Sequence, residues 1–483
     1  MARFWRVTYI FDMRHILTII SLLAAASCCY GQQYSFSFKL DGVDDSMLYI
    51  GRHYRDAVTL VDSTRRASDG SYTFRGKRQW QRGIYALVRQ DRTKQIGDFA
   101  IDGSLKFSIS GDSKLSPASV KVKGCLSNQQ MFGYMNTVQQ ARREADEIRT
   151  RMKDPATRAE AEAEEKVLTE RMDRYDSVTR HPKKPLVFFD FINACENATV
   201  PDSVDDKAYY YRHHYWDKLF ESRSKALRES LLYSPQLFNK MNYFFFGMLY
   251  HADSDTICRE LDYLMQRIGD DTAMARYVLE FITPKYFRST KNIGWDAVWC
   301  HIASEYYLKG SCPWATEGTL HNMRYNYNRI VQSIIGAHGQ ELWMIDTTQI
   351  DAPEHWVSSH RFPTKYVILW FWDPDCHHCQ EQSAALKVLY DSLLTAPDRR
   401  FEVYAIGYES DVDKWKKYVK EHNFRWVNVG GPHVNIDYQE AYNVHGAPTM
   451  IILDEKRDII MNKVLPAKSL LPFLEEHEKK LRN

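Results

Sequence analysis

Three stretches with different spacings of apolar residues follow one another along the chain. In the first, apolar and polar positions alternate, at Phe36, Phe38 and Leu40 and again at Tyr72 and Phe74 and at Leu105, Phe107 and Ile109. Asp-Gly pairs at 41–42, 69–70 and 102–103 are typical of turns between strands. A period of two with such turns predicts an antiparallel β domain over residues 32–125.

From residue 126 onward the pattern becomes helical. Residues 137–180 are rich in Glu, Arg and Ala, which predicts a pair of long solvated helices broken near Asp154-Pro155. Ser234-Pro235 is typical of a helix start, with Ser as N-cap and Pro in the first turn. Two amphipathic helices follow, and the second is predicted to end before Pro284. We therefore predict an α-helical domain over 126–338.

The last stretch, 339–483, alternates strands with helices. The apolar run Val367 to Trp372 predicts a buried strand, and Phe401 to Tyr408 predicts another. Thr449–Leu453 and Ile459–Val464 flank a charged turn as a hairpin, and a helix closes the chain. This order indicates a mixed sheet with helices on both faces. The predicted fold class is multi-domain: an N-terminal antiparallel β domain, a central all-α domain and a C-terminal α/β domain.

The N-terminus is typical of a targeting signal. Arg14 and His15 precede a short apolar run, Ile16 to Ala26, and small residues follow. We predict a signal peptide over 1–31, with Met13 as an alternative start. A lipoprotein anchored through Cys28 or Cys29 is the competing interpretation. Either one places the protein outside the cytoplasm, in the periplasm or cell envelope.

Composition narrows the function by exclusion. A formal net charge of +2 over 483 residues gives no broad electrostatic case for binding nucleic acid. Seven cysteines remain after residue 31, and only one pair is closely spaced. The other five are most often small buried hydrophobic residues. This distribution of cysteines indicates one redox site, in a fold that is stabilised by its hydrophobic core and not by a dense set of disulfides.

The close pair, Cys376-His377-His378-Cys379, follows the predicted strand and a Pro374-Asp375 break. Cysteines at i and i+3 lie on one face of the first helical turn, within reach of a disulfide. The helix N-terminus favours ionisation of the first thiol. A C-x-x-C can also be half of a zinc site, but no second cysteine or histidine pair is suitably spaced. The context favours dithiol/disulfide chemistry, and we expect no metal and no cofactor.

This C-terminal domain resembles the thioredoxin fold, and within it the TlpA/ResA-like thiol–disulfide oxidoreductases of the cell envelope. The resemblance rests on the strand into Trp370-Phe371-Trp372, the C-x-x-C, the Ala447-Pro448-Thr449 segment and the hairpin after it. An extra strand and helix before Pro448 match the central insertion of that branch. The resemblance implies that Cys376 is the attacking thiol and Cys379 the resolving thiol. It also implies that Pro448 is cis and that Ala447, Pro448 and Trp372 face the substrate.

The motif departs from thioredoxin in ways that bear on its redox potential. Trp370 stands where thioredoxins have a buried Asp, and Asp375 stands where they have Trp. Asp375 is a candidate helix cap whose charge opposes ionisation of Cys376, whereas His378, as imidazolium, would favour the thiolate. His377 either adds to this effect or faces solvent. Because these effects have opposite signs, reductase, oxidase and isomerase all stay open.

The resemblance implies protein thiols and disulfides as substrates, with an electron donor or acceptor in the membrane or periplasm. The upstream domains either position a partner over Cys376 or hold the enzyme in a homodimer. The rival hypothesis, from another class, is a binding or scaffold protein of the cell envelope whose thioredoxin-like domain is vestigial or structural.

Overall fold

The computed structural model describes residues 32–183, 185–221, 224–288, 292–346, 355–396, 399–408 and 411–482. The predicted signal peptide and both candidate lipidation sites lie outside these residues. The described chain divides into two compact units. One comprises the residues up to Tyr250 with Leu264–Tyr277, and the other comprises His251–Tyr263 with the residues from Val278 onward.

The first unit begins with eight strands in two four-stranded sheets. The sheet orders are β4-β1-β7-β8 and β3-β2-β5-β6. Their bounds are β1 Gln32–Asp41, β2 Met47–Tyr54, β3 Ala57–Arg65, β4 Tyr72–Arg78, β5 Gly83–Val88, β6 Gln95–Ile101, β7 Lys106–Asp112 and β8 Lys121–Lys123. Phe99 of β6 packs edge-on against Phe38 of β1, with ring centroids 5.1 Å apart, so the inner faces of the sheets share an aromatic core.

The alternation and the turns of this region are confirmed, with one difference. Gly42, Gly70 and Gly103 all adopt the left-handed backbone conformation with positive φ that such turns need. The described pairings are antiparallel except for β1 with β7, which is parallel. Parallel neighbours far apart in sequence leave no local pattern, so the fully antiparallel prediction was wrong at this pair.

Helices follow the sheets. They are α1 Leu126–Arg151, α2 Arg158–Thr179, α3 Val187–Ala194, α4 Lys207–His214, α5 Asp217–Glu221, α6 Lys225–Leu231, α7 Pro235–Tyr243, α8 Ser254–Ile268 and α9 Thr272–Arg288. The predicted long pair is α1 and α2, which meet through a narrow apolar seam around Ile148 and Leu168. Ser234 caps α7 by accepting the Leu237 amide at 3.3 Å, as predicted.

One predicted helix end was wrong. The helix α9 runs through Pro284 to Arg288 instead of stopping before the proline. Proline removes one backbone hydrogen bond there, but Ile282 and Tyr286 on either side are both buried, at 0% and 1% exposure. We infer that burial of this face stabilises the helix enough to offset the lost bond.

The second unit contains α10 Trp295–Ile302, α11 Glu317–Ile330 and a seven-stranded sheet flanked by four more helices. The sheet is made of β9 Trp343–Asp346, β10 Trp356–Ser358, β11 Tyr366–Trp372, β12 Phe401–Gly407, β13 Val427–Val434, β14 Thr449–Leu453 and β15 Ile459–Met461. The helices are α12 His377–Leu393, α13 Val412–Glu421, α14 Tyr438–Ala441 and α15 Ala467–Arg482. The helical region predicted as one domain is thus divided between the two units.

The order of the sheet is β10-β9-β13-β12-β11-β14-β15. The strands β11, β12 and β13 are parallel, whereas β14 runs antiparallel to β11 and pairs with β15 in a hairpin. This is the predicted mixed sheet. It brings the carboxyl end of β11, where the cysteines follow, next to the amino end of β14, which follows Pro448.

Both faces of β11 are buried, which explains its unbroken apolar sequence. Ile368, Trp370 and Trp372 belong to the core on one face, and Val367, Leu369 and Phe371 to the core on the other. At the outer edge, β15 is covered by the chain segment 336–339. Gly336 N donates to Ile459 O, Ile459 N to Ala337 O and Gly339 N to Arg457 O, each at 2.8 Å.

No helix in the described ranges combines the length and the apolar composition needed to cross a membrane.

Candidate functional site

The two cysteines lie where β11 gives way to α12. Cys376 is the N-cap of α12, with extended backbone, and its Sγ accepts the amide of Cys379 at 3.3 Å. The sulfur therefore satisfies one of the unpaired N–H groups at the helix start. A thiolate in this position also receives the favourable end of the helix dipole. The capping residue is therefore Cys376, and the expectation that Asp375 could cap the helix was wrong.

The loop before the cap is held by its own hydrogen bonds. Asp375 N donates to Asp373 Oδ1 at 2.7 Å, and Cys376 N donates to Asp373 O at 3.2 Å. Gln380, one turn into the helix, donates its side-chain amide to Pro374 O at 2.6 Å. These contacts fix the backbone on both sides of Cys376, so the position of the first sulfur is set by a closed turn.

The two sulfurs have different surroundings. Cys376 is partly exposed, whereas Cys379 is fully buried in the core between β11 and its helices. Burial, together with the hydrogen bond to Cys376, raises the pKa of the Cys379 thiol well above its ordinary value. Cys376 is thus the accessible thiol of the pair, and burial favours the protonated form of the Cys379 thiol behind it. The attacking and resolving roles that the resemblance implies stay a prediction.

The residue that replaces the buried thioredoxin Asp has an internal partner. Trp370 is fully buried, and its Nε1 donates to Ser383 Oγ of α12 at 2.9 Å. This pair supplies no ionisable group beneath Cys379. The carboxylate whose charge raises the pKa of Cys379 belongs instead to Asp373, in the loop, and its effect is smaller than that of burial.

Ala447 and Pro448 face the first cysteine. The Ala447–Pro448 peptide bond is cis, as the resemblance implies. Cys376 Sγ lies 3.6 Å from the carbonyl oxygen of Ala447. Thr449 Oγ1 donates to Gly446 O at 2.7 Å and so ties the two ends of this turn together. The turn therefore places a backbone carbonyl directly beside the Cys376 thiol.

The histidines of the motif point to a carboxylate on their own helix. His377 Nε2 lies 3.2 Å from Glu381 Oε1, and His378 Nδ1 lies 3.7 Å from Glu381 Oε2. Their side chains are 78% and 81% exposed. Asp375 is also exposed and pairs with Lys414 at the start of α13. These three side chains surround the site in contact with solvent, and their role in tuning it stays a prediction.

Trp372 does not face a substrate. Its side chain has no exposed surface and packs against Trp415, Tyr418 and Phe424. The predicted substrate contact at Trp372 is therefore corrected to a core position that supports the loop from below.

Sequence reasoning missed three contributors to the site. Asp373 is visible in the Asp-Pro-Asp stretch, and its spacing is that of a residue that closes a turn. Gln380 and Lys414 carry no local signal, because their partners are apparent only once the chain is folded. In the described part of the chain, no group of three or more His, Cys, Asp or Glu side chains is arranged to hold a metal ion.

Comparison with known proteins agrees with this geometry. Residues 364–459 match the family described as thioredoxin-like. The matched range begins just before β11 and ends at the start of β15, so it contains both cysteines and the cis-proline. The fold and the match together define a thioredoxin-like C-terminal domain, of the class found in thiol–disulfide oxidoreductases. None of the curated proteins matches the chain.

Several solved structures are similar to parts of the chain. A domain of a possible thiol-disulfide isomerase from Cytophaga hutchinsonii is 29% identical, over 31% of this chain and 96% of its own, with a TM-score of 0.27. A thioredoxin-like protein from Bacteroides caccae is 16% identical, over 58% and 98%, with a TM-score of 0.45. The thioredoxin domain of a thiol-disulfide oxidoreductase from Bacteroides vulgatus is 23% identical, over 30% and 96%, with a TM-score of 0.25.

Proposed function

We propose that this protein is an exported thiol–disulfide oxidoreductase that exchanges disulfides with partner proteins through Cys376 and Cys379. The observation that carries the proposal is the position of Cys376 Sγ. It caps a helix, accepts the amide of Cys379 at 3.3 Å and lies 3.6 Å from the carbonyl oxygen before the cis-proline. Export is supported by the N-terminal sequence alone, in which charged residues precede a short apolar run, as is typical of a targeting signal. Disulfide exchange with partner proteins suits the oxidising compartment that such a signal would lead to.

In the reducing direction, the Cys376 thiolate attacks one sulfur of a partner disulfide, and the other partner sulfur leaves as a thiolate. A mixed disulfide then joins Cys376 to the partner. Cys379 loses its proton and attacks Cys376 Sγ, which releases the second partner thiolate. Two electrons have passed to the partner, and Cys376 and Cys379 are left joined. A dithiol donor in the envelope would restore the pair, and the same steps run backwards oxidise a partner.

The resolving step needs an acceptor for the Cys379 proton, because burial keeps this thiol protonated. Asp373 is the candidate acceptor, since its carboxylate is the one whose charge acts on the Cys379 thiol. Its negative charge disfavours a second anion at Cys379, so proton loss and attack on the mixed disulfide are expected to occur together.

The proposal is tested on the full chain. In the reduced protein at neutral pH, Cys376 should be alkylated first, before the buried thiols. Cys376→Ser should abolish reduction of insulin disulfides, whereas Cys300→Ser, a buried position in α10 that is 3% exposed, should retain it. Insulin reduction that survives Cys376→Ser would overturn the proposal. The reduction potential then assigns direction: about −270 mV is that of a reductant such as thioredoxin and about −120 mV that of an oxidant such as DsbA.

A further inference from the structure

A groove runs along one side of the cis-proline turn. Its volume is about 520 Å³, within the range of sites that hold a small ligand or a few residues of a peptide. Gly446, Pro448 and Thr449 line it on one side, and Asn462 and Lys463, just after β15, line it on another. Gly446 and Pro448 flank Ala447, whose carbonyl oxygen lies 3.6 Å from Cys376 Sγ. The groove therefore includes the residues on both sides of the carbonyl that faces Cys376.

One wall of the groove comes from outside the thioredoxin-like match. Asp296 of α10 and Ser333, which follows α11, both line the groove, and both precede the matched residues 364–459. They hold Asn462 in place: its Nδ2 donates to Asp296 Oδ2 at 2.6 Å and to Ser333 O at 3.0 Å. Upstream helices of the same compact unit thus fix the loop that carries Lys463.

Two charged residues of the lining, Asp296 and Lys463, differ in the partners they have. Both oxygens of Asp296 are occupied, Oδ2 by Asn462 and Oδ1 by the Ala297 amide at 3.0 Å. Lys463 is half-buried in the lining, and among the described residues no carboxylate forms an ion pair with it. A half-buried lysine with no paired anion favours a ligand that brings one.

We propose that this groove binds the stretch of a partner protein next to its reactive cysteine, and that Lys463 selects partners with an acidic side chain in that stretch. The Asp296–Asn462 contact positions the loop for this recognition. The inference rests on the proposed function, because the partner's cysteine must reach Cys376. An extended chain advances about 3.3 Å per residue, so the test covers the four positions on either side of the partner's cysteine.

The test uses the reduced full-length protein and capped peptides, each with one cysteine activated as a mixed disulfide with pyridine-2-thiol. Cys376 attacks the peptide sulfur, and pyridine-2-thione leaves and is measured by its absorbance. Peptides carrying Asp at one position within four residues of the cysteine are compared with the same peptides carrying Lys. We expect at least one Asp peptide to react about five- to tenfold faster than its Lys counterpart in near-physiological salt.

Lys463→Glu should invert that ratio, whereas Lys479→Glu, which makes the same charge change at an exposed position of α15, should keep it. Asp296→Ala should bring the ratio close to one, with Glu317→Ala, an exposed acid of α11, as its control. Equal rates for Asp and Lys peptides in the unmodified protein, or a ratio that Lys463→Glu leaves unchanged, would overturn the inference. Should Asp296→Ala fail to fold, Lys463→Glu still decides the question.

Reaction of the unmodified protein with 2,2′-dithiodipyridine separates this inference from the proposed function. That small neutral disulfide has no flanking peptide, so it reports on Cys376 alone. If Cys376 reacts with it but the peptides are not distinguished, the groove proposal fails and the redox function stands. If Cys376 does not react with it, the proposed function fails and the groove proposal fails with it.

Discussion

The two ends of the seven-stranded sheet use charged residues in opposite ways. At the amino ends of β11 and β12, charges are paired and largely covered. Glu478 of α15 accepts from Arg400 at 2.7 Å and from Lys365 at 3.0 Å, with a side chain only 15% exposed. Glu402 accepts from Arg399 at 2.6 Å and from the Tyr390 hydroxyl at 2.8 Å, and is 6% exposed.

At the carboxyl ends of the same strands, charges are solvated and loosely held. Asp375 and Lys414 are 67% and 56% exposed, and the two histidines of the motif more so. Exposed pairs of this kind contribute little to stability, whereas covered, multiply bonded ones contribute more. The comparison teaches that this domain keeps its covered, multiply bonded carboxylates at one end of the sheet and surrounds the cysteines at the other end with exposed ionisable side chains.

The largest expected effect is on turnover, from a substitution at the carboxyl end of the sheet. Cys379→Ser should lower turnover with insulin at least about a thousandfold, because the mixed disulfide on Cys376 can no longer be resolved. The free energy of unfolding should change by no more than about 1 kcal/mol, since the two side chains have nearly the same shape. Turnover and denaturant unfolding measure the two quantities, and the trapped adduct is detected by mass spectrometry. Undiminished turnover would contradict the assigned role of Cys379.

At the amino end of the sheet, a substitution should affect stability more than reactivity. Glu402→Ala should lower the free energy of unfolding by about 2–4 kcal/mol, because Arg399 and the Tyr390 hydroxyl lose a covered partner. The rate of Cys376 alkylation in the folded protein should stay the same. Glu421→Ala, an exposed acid at the end of α13, is the control and should cost less than about 0.5 kcal/mol. A loss of reactivity without a loss of stability would refute the division between the two ends.

The Glu478 network should give stability a defined dependence on pH. Hydrogen bonds from Arg400 and Lys365 lower the pKa of Glu478 from 4.5 to about 2. An acid whose pKa is lower in the folded state stabilises the fold above its ordinary pKa, and this contribution is lost as the pH falls from about 4.5 to about 2. Glu478→Gln should therefore cost about 1–2 kcal/mol at pH 7 and almost nothing near pH 2.

Urea unfolding of both proteins across this pH range measures the difference. Glu476→Gln, an exposed neighbour on α15 with a single lysine partner, serves as the control. A cost for Glu478→Gln that does not change with pH would show that the network contributes through shape and not through charge.

The smallest effect is expected from the exposed pair beside Cys376. Lys414→Ala leaves the negative charge of Asp375 without its cation, so alkylation of Cys376 should slow by about two- to threefold. Stability should change by less than about 0.5 kcal/mol. Lys420→Ala, an exposed lysine on the same helix, is the matched control. The difference should shrink at 1 M salt, where charges are screened within about 3 Å.

Much of this domain could be predicted from the sequence because its signals are local. The run Tyr366 to Trp372 is apolar throughout because both faces of the strand are buried, and the cysteines are spaced by one helical turn. The cap of α13 is a local feature of the same kind, since Asp411 accepts the amides of Asp413 and Lys414, two and three residues further on.

What could not be predicted depends on residues that meet only in the folded chain. Trp372 follows the same face as Trp370, and the side chains that cover it, Trp415 and Phe424, lie far along the sequence. Asn462 of the groove is held by Asp296, which a reader of the sequence would assign to a separate domain. Burial determines the surroundings of Trp372, and long-range pairing determines those of Asn462. Neither effect produces a periodic pattern in the sequence.

The segment 336–339, which covers β15, affects how readily this protein associates with other copies of itself. Exposed sheet edges invite strands of neighbouring chains to add on, which is how many soluble proteins begin to aggregate. Here the outermost strands, β10 and β15, have only three residues each, and the backbone of β15 already bonds to residues 336–339. A foreign strand finds few unpaired backbone groups at the β15 edge, so addition of a strand from another copy of the protein is disfavoured there.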